Sequence, residues 1–304
     1  MKILVTGGKG QLANEIKSIL SAGKSEIGAC PIDINTCEAT YIDIEELDIT
    51  KISDVKKYVS NLKPDVIINC AAFTNVDGCE TNKDAAFKVN ALGPRNLAIA
   101  AEEIGAKLVH VSTDYVFSGE VRNESLKEYD EVGPQSVYGT TKRLGEEYVK
   151  QFSSKYYIVR TAWLYGYIGN NFVYTMRKLG QNHDAITVVD DQRGNPTNAN
   201  DLAYHILKLV NTEEYGIYHC TGSGECSWYD FARKIMELSK LNCKVNPVTS
   251  EEYAKNAGKP VAKRPFYSSL DNMMLRSTVG DEMRNWEEAI ETFIANIPKY
   301  NINK

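Results

Sequence analysis

The chain has 304 residues, 43% hydrophobic and 25% charged, proportions of an ordinary globular protein rather than of a disordered or fibrous one. A formal net charge of −5 excludes the concentrated basic face that a nucleic-acid partner requires, yet an anionic ligand can still rest on helix N-termini. No apolar run approaches the roughly 18–20 residues of a membrane-spanning helix; the opening MKILVTGG lacks the layout of a signal peptide, and the seven cysteines are scattered without a C-x-x-C pair, so free thiols in a soluble, cytoplasmic protein are expected.

The first apolar run, KILVT at 2–6, reads as a strand. It feeds Gly7-Gly8-Lys9-Gly10-Gln11-Leu12-Ala13, and helical periodicity follows over 11–20. Glycines let the backbone turn sharply and approach a pyrophosphate, whose charge sits on the helix N-terminus. A glycine run alone marks any tight turn. Placed after a strand and at the mouth of a helix, it has the context of the dinucleotide fingerprint, with Ala13 at the third small position. An acidic residue closing the second strand should then hold the adenosine ribose. Asp33 stands near the offset of about 20 residues that the motif expects, but in a poor strand, CPIDINTC, where a solvated turn aspartate is the better reading. Asp43 closes the better strand, ATYID at 39–43, if 21–38 is an inserted loop. Either carboxylate would favour NADH over NADPH by repelling a 2′-phosphate.

Further Val- and Ile-rich runs lie at 65–72, 107–112 and 156–163, alternating with helical patterns at 53–62, 84–103 and 138–151. Continuous hydrophobicity implies strands covered on both faces, as in a parallel sheet. The alternation predicts an α/β fold, a doubly wound parallel Rossmann sheet built from right-handed crossovers. Beyond 163 the regularity weakens. A loop is expected at 166–171, a turn at Gly194-Asn195-Pro196, and a helix over 201–210 with a strand over 216–221 returning to the sheet. A second helix over 227–238 takes Ser227 as its N-cap. The expected division is a dinucleotide-binding domain over 1–163, with a return segment near 198–221, and a smaller substrate-binding lobe over 164–304 covering the sheet's ligand edge.

Tyr138-Gly-Thr-Thr-Lys142 sets a phenol and an ammonium one helical turn apart on one face. A neighbouring Lys⁺ favours the phenolate and lowers the tyrosine's proton affinity. Such a tyrosine gives a proton to a carbonyl oxygen while hydride arrives at carbon, and recovers it through the lysine and a cofactor ribose. The spacing by itself decides nothing, because it recurs at Tyr174/Lys178, Tyr204/Lys208 and Tyr300/Lys304. Position singles out Tyr138: it opens a helix after Gly133-Pro134-Gln135-Ser136, downstream of a strand ending in Ser112-Thr113-Asp114. Ligands of open α/β sheets bind at such strand ends, where the Thr113 hydroxyl can polarise the same carbonyl. A turn or N-cap role for Thr113 and Asp114 is as natural a reading.

Thr6-Gly7-Gly8-Lys9-Gly10-Gln11-Leu12, Asn69-Cys-Ala-Ala72, Ser112-Thr-Asp-Tyr-Val-Phe117, Tyr138-x-x-x-Lys142 and Arg160-Thr-Ala-Trp-Leu-Tyr165 together resemble the extended short-chain dehydrogenases/reductases. Within them the chain looks most like the dTDP-4-dehydrorhamnose reductases, through Leu47-Asp-Ile-Thr50, Asn170-Asn-Phe172, Asp191-Gln-Arg-Gly-Asn-Pro-Thr197, Cys226-Ser-Trp228 and Lys263-Arg-Pro265. The resemblance implies hydride transfer from NADH or NADPH to C4 of dTDP-4-dehydro-L-rhamnose, giving dTDP-L-rhamnose for cell-envelope polysaccharide. It implies Tyr138 as proton donor, Lys142 as its support and Thr113 at the keto group, with Asp114 and Trp163 lining the sugar pocket. Gly7 belongs to the glycine turn. Gly10, Gln11 and Leu12 would touch pyrophosphate, Asp48 and Ile49 the adenine, and Ala71, Ala72 and Thr74 the ribose side, while the placement of Leu47-Asp-Ile-Thr50 makes Asp43 the ribose residue. Trp163 and Trp228 also suit a plain hydrophobic core. Ala13 for glycine, the long 21–38 connection and Phe73 depart from the family pattern. Some relatives bind Mg²⁺ through glutamates at a dimer contact; Glu15 matches one, its companions do not, and no metal site is expected. The partners expected are a small nucleotide sugar and at most a second copy of the chain, with no nucleic acid and no membrane. Other nucleotide-sugar epimerases, dehydratases or reductases, and a regulatory subunit like that of methionine adenosyltransferase, are the rival expectations.

Overall fold

The computed structural model describes residues 1–256 and 262–300; Lys304, of the fourth Tyr-x-x-x-Lys spacing, lies outside them. The central sheet is built from β1 (Lys2–Thr6), β2 (Glu38–Ile42), β3 (Val66–Asn69), β4 (Lys107–Thr113), β5 (Tyr156–Thr161) and β6 (Gly216–His219). All pairs are parallel, in the order β6-β5-β4-β3-β1-β2. The run 216–221 is thus the return strand, and the sheet is the doubly wound one expected.

The strands read as unbroken apolar runs because both faces are covered. Ile3 and Val5, Val66 and Ile68, and Tyr157 and Val159 pack into one buried cluster, while Leu4, Ile67, Leu108 and Ile158 pack into another. The crossovers are α1 (Gln11–Ala22), α2 (Ile52–Leu62), α3 (Gly93–Ile104) and α4 (Val137–Phe152), followed beyond β5 by α5 (Phe172–Asn182) and α6 (Ala199–Val210). Helices α1 and α6 share the first cluster, and α2, α3 and α4 cover the opposite face. From β1 the chain steps outward to β2, then returns past β1 to β3. The connections leaving the carboxyl ends of β1 and β3 therefore run to opposite faces of the sheet, α1 on one and α3 on the other, which opens a crevice where such sheets hold ligands.

Two segments depart from simple expectation. The run 84–103 is not one regular helix but Lys83–Phe87, a π-helical turn at Lys88–Leu92, and then α3 with Pro94 in its first turn. Proline cannot donate to the i−4 carbonyl, which loosens the ladder there, and π-turns commonly sit beside functional sites. The inserted loop lies within 21–38, between α1 and β2 at 23–37, and packs on α6 and its C-cap through Glu26 N–H to Asn200 Oδ1 (2.8 Å) and Asn211 Nδ2 to the Pro31 carbonyl (2.6 Å).

Beyond β5 a third apolar cluster joins Tyr165, Tyr167 and Val173 to residues of α7 (Trp228–Leu238) and α8 (Trp286–Asn296). Three small two-stranded pairings surround it: 164–165 with 197–198, 185–189 with 244–248, and 193–194 with 226–227. Ser227 caps α7, accepting from Asp230 N–H while Asp230 accepts from Ser227 N–H. All seven cysteines are free thiols. No helix among the described residues is long and apolar enough to cross a membrane.

Candidate active site

One cleft of about 900 Å³ opens over the carboxyl ends of β1, β3, β4 and β5. It is lined by Gly7, Gly10, Gln11, Leu12, Asp43, Asp48, Ile49, Ala71, Ala72, Thr74, Thr113, Asp114, Tyr138, Lys142 and Trp163, so every site residue expected from the sequence meets here. Asp33 does not line it. Its carboxylate instead accepts from Asn35 N–H (3.0 Å) and caps a short 3-10 turn, the turn-aspartate role.

The glycine turn is obligatory by geometry. Gly7 has φ +68°, and a Cβ there would stand 2.8 Å from the Ala71 amide nitrogen, so neither the conformation nor the space admits a side chain. Gly10 caps α1, which leaves the first amides of that helix facing the cleft. The Gln11 side chain does something the sequence did not reveal: its Oε1 accepts from Gly166 N–H (2.9 Å) and Asn171 Nδ2 (3.0 Å), tying the turn to the loop after β5. Asp43, at the end of β2, accepts from Lys9 N–H (3.0 Å) and Ile44 N–H (2.8 Å). Asp48 accepts from the Thr50 amide (3.0 Å) and hydroxyl (2.7 Å), and those bonds hold its carboxyl below its usual range.

At the far end, Ser136 caps α4 by accepting from Gly139 N–H (3.1 Å), which sets Tyr138 on the first turn. Its ring meets Tyr115 edge-to-face at 5.4 Å. Burial pushes the Tyr138 phenol well above its ordinary range, partly countered by a hydrogen bond with Thr113. The shift is opposite to the lowering expected from a neighbouring Lys142. The Lys142 Nζ is turned to the Val111 carbonyl, 2.6 Å away, and desolvation outweighs its influence. Burial also brings the lysine down to about 8, against the opposing pull of Glu146 and Cys70. Thr113 takes the turn-capping role considered for it and also faces the cleft. Its hydroxyl accepts from Tyr115 N–H (3.2 Å), donates to Asp114 Oδ1 (2.9 Å) and lines the cleft.

Asp114 is buried, and desolvation lifts its carboxyl to about 6 despite hydrogen bonds from Ser268 and Thr113. Trp163 has the left-handed φ of +47°, rare for a bulky side chain, and stacks on Trp228 at 3.5 Å with the rings 8° apart. Both indoles line the cleft while packing against the third apolar cluster. Gly194 makes room for this pair, since a Cβ there would lie 2.8 Å from the Trp163 ring. Tyr174, Tyr204 and Tyr300, which share the Tyr-x-x-x-Lys spacing, do not line the cleft.

A polar layer beneath the site was missed. Glu146 is buried, accepting from Arg160 Nε and Nη2 (both 2.9 Å) and from the Ser112 hydroxyl (2.6 Å). Asn69 and His110 are buried beside Lys142, and Asn90 on the π-turn holds both backbone groups of Phe73. The available signal was a polar residue inside an apolar strand run, as in VIIN, VHVS and IVRT, because such groups are buried only with partners. Glu15 is also buried, under α1, bonded to Asn200 Nδ2 (2.9 Å) and Tyr167 N–H (3.3 Å). Among the described residues no three His, Cys, Asp or Glu side chains cluster as a metal site.

The family model described as "RmlD substrate binding domain" matches residues 1–298. A spore coat polysaccharide biosynthesis protein SpsK of Bacillus subtilis is 38% identical over 96% of each chain. A dTDP-4-dehydrorhamnose reductase of Clostridium acetobutylicum, known from its crystal structure, is 49% identical with TM-score 0.90, covering 98% of this chain and 100% of its own. The chain belongs to the dTDP-4-dehydrorhamnose reductase family. A third relative, the dTDP-4-dehydrorhamnose reductase of Bacillus anthracis, solved in complex with NADP, is 41% identical with TM-score 0.88 over 97% of this chain and 99% of its own.

Proposed function

We propose that this protein reduces the C4 keto group of dTDP-4-dehydro-L-rhamnose with NADH or NADPH, forming dTDP-L-rhamnose for a cell-envelope polysaccharide. The observation that carries the reading is the meeting of the glycine turn with Tyr138, Lys142 and Thr113 in one cleft. A nicotinamide dinucleotide fits the residues present, since the sharp turn at Gly7 brings the amides opening α1 to the cleft, where they suit a pyrophosphate. Gly10, Gln11 and Leu12 would hold that pyrophosphate, Asp43 the adenosine ribose, Asp48 and Ile49 the adenine, and Ala71, Ala72 and Thr74 the second ribose side. When bound, the cofactor supplies the hydride.

Tyr138 gives its phenolic proton to the C4 oxygen as C4 takes the hydride, so the carbonyl becomes an alcohol. Burial keeps the Tyr138 phenol protonated, so its proton is in place to be given. Lys142 returns a proton to Tyr138, which its lowered affinity favours. Thr113 positions the keto group, and Asp114 and the Trp163 face line the sugar. In this reading residues 1–163 with the return segment near 198–221 bind the dinucleotide. The remainder, through 304, forms the sugar-binding lobe, in a cytoplasmic monomer or homodimer.

The test is to mix the protein with NADH or NADPH and enzymatically generated dTDP-4-dehydro-L-rhamnose and follow nicotinamide absorbance. Loss of absorbance that depends on the sugar, with dTDP-L-rhamnose as product, is expected. No oxidation with either cofactor sinks the assignment.

A further inference from the structure

Three strands bring a polar row to the flank of Lys142. Thr6 on β1 pairs in register with Asn69 on β3, and Asn69 with His110 on β4, so the three side chains point from the same face of the sheet. The Thr6 hydroxyl donates to Asn69 Oδ1 (2.7 Å), Asn69 Nδ2 lies 3.1 Å from His110 Nδ1, and His110 Nε2 lies 3.5 Å from Lys142 Nζ. All four residues are buried. Gly145, one turn beyond Lys142 on α4, lets the helix lie against the Asn90 carbonyl, where a Cβ would stand 2.3 Å away, and so holds α4 close to His110.

The row has a direction. Ala71 N–H, a donor that cannot reverse, bonds to Asn69 Oδ1 at 3.2 Å. The amide of Asn69 is thereby fixed with its NH₂ toward His110, and Nδ1 of the imidazole must accept. A neutral imidazole has one N–H, so the proton resides on Nε2, aimed at the lysine. Burial and the adjacent lysine keep His110 well below its ordinary range, hence neutral. An N–H pointing at an ammonium opposes its charge, whereas it can donate to the free amine.

We propose that His110 is a positioning residue for Lys142: Asn69 pins it in the Nε2–H tautomer, and that N–H disposes the lysine to release its proton toward Tyr138. The inference rests on the proton-relay reading of Tyr138 and Lys142. The other groups facing Lys142 do not substitute for it. The Cys70 thiol is pushed up by burial to about 12 and stays neutral, the Val111 carbonyl accepts from Nζ, and the Glu146 carboxylate is already shared between Arg160 and Ser112.

The experiment compares the pH profile of kcat in the wild type, His110→Leu, His110→Gln and Lys142→Met, with ¹⁵N-detected histidine NMR on the wild type. Reduction needs the protonated lysine, so kcat falls on the alkaline side as Lys142 loses its proton. His110→Leu removes the opposing N–H and shifts that limb upward by about one pH unit. His110→Gln, whose amide accepts from Asn69 and donates toward the lysine, returns the limb to its wild-type place. The NMR of wild-type protein shows His110 neutral, with its proton on Nε2. An alkaline limb that persists in Lys142→Met overturns the relay reading itself. A limb that vanishes in Lys142→Met but stays put in His110→Leu overturns only the role of His110, as does a proton found on Nδ1, a readout that stands even if His110→Leu fails to fold.

Discussion

Tyr138 and Asp114 show how one buried cleft tunes two acids in ways that spacing alone does not convey. Removing the Tyr138 hydroxyl leaves the ring free to keep its edge-to-face packing on Tyr115, so Tyr138→Phe is expected to fold and bind cofactor while kcat falls by about 10²–10⁴-fold. A variant retaining full rate in steady-state assays would place the proton source elsewhere. Asp114 is lifted from 3.8 to about 6, and its Oδ2 has no hydrogen-bond partner among the described residues. The folded protein therefore holds this proton longer than the unfolded chain does. Stability from this group is greatest below the ordinary carboxylate range, is lost as pH rises from about 4 to about 6, and stays flat above. Asp114→Asn abolishes that slope. Its stability relative to wild type should improve by roughly 2–3 kcal/mol between about pH 4 and pH 7, measured by urea unfolding at both. A constant difference would show that the carboxyl is not raised. At this scale the quality of the strand beside each favoured Asp43 over Asp33 without deciding between them, and context singled out Tyr138; Asp43 and Tyr138 line the cleft and Asp33 does not. The sequence could not show Lys142 turned to Val111, because desolvation is a property of the packed cleft.

Helix α4 carries both Tyr138 and Lys142, and two glycines decide where it lies. A Cβ at Gly139 would stand 2.2 Å from the Tyr115 carbonyl oxygen, and one at Gly145 would stand 2.3 Å from the Asn90 carbonyl oxygen. Both obstacles are backbone, which gives way less readily than a side chain. The helix is thus pressed against the turn after β4 on one side and the π-turn on the other. Gly139→Ala should push the first turn of α4 away from Tyr115 and carry Tyr138 with it. The expected cost is about 1–3 kcal/mol from overpacking, together with a fall in kcat of about tenfold or more from misplacement of the acid. Urea midpoints and kcat measured together test this, and an unchanged kcat would mean that α4 tolerates the shift. From sequence, the limits of α4 were legible to within one residue, because its apolar periodicity is regular. The glycines were not, since a mid-helix glycine looks like a propensity defect of about 1 kcal/mol until its neighbour is known. The π-turn at 88–92 was hidden for a related reason: helical periodicity survives one extra residue per turn.

At the scale of the whole molecule, the sheet was legible because its inner strands β1, β3, β4 and β5 are buried on both faces and read as largely apolar runs. Beyond β5 the helix capped by Ser227 was legible, but the strand pairings of the lobe were not, because several are two residues long and their order comes from contacts distant in sequence. The chief of these is a buried ion-pair cluster. Arg284 donates to Asp201 on α6 through Nε (2.9 Å) and Nη2 (2.6 Å), and to Glu26 in the inserted loop through Nη2 (2.6 Å). Glu26 also accepts from Asn296 on α8 (3.2 Å), Asn198 (3.4 Å) and the Tyr167 hydroxyl. One guanidinium therefore joins the loop after α1, the first residues of α6 and the lobe that presents Trp228 to the cleft. Arg284→Leu leaves two nearly buried carboxylates facing each other, and the expected loss is about 3–5 kcal/mol of unfolding free energy. Much of that is the cost of stranded charge rather than the worth of the pairs, so Glu26→Gln added to Arg284→Leu should recover part of it. Denaturant unfolding of both variants decides the matter: a double variant no more stable than the single one would mean that Arg284 acts by packing its stem rather than by neutralising Glu26 and Asp201.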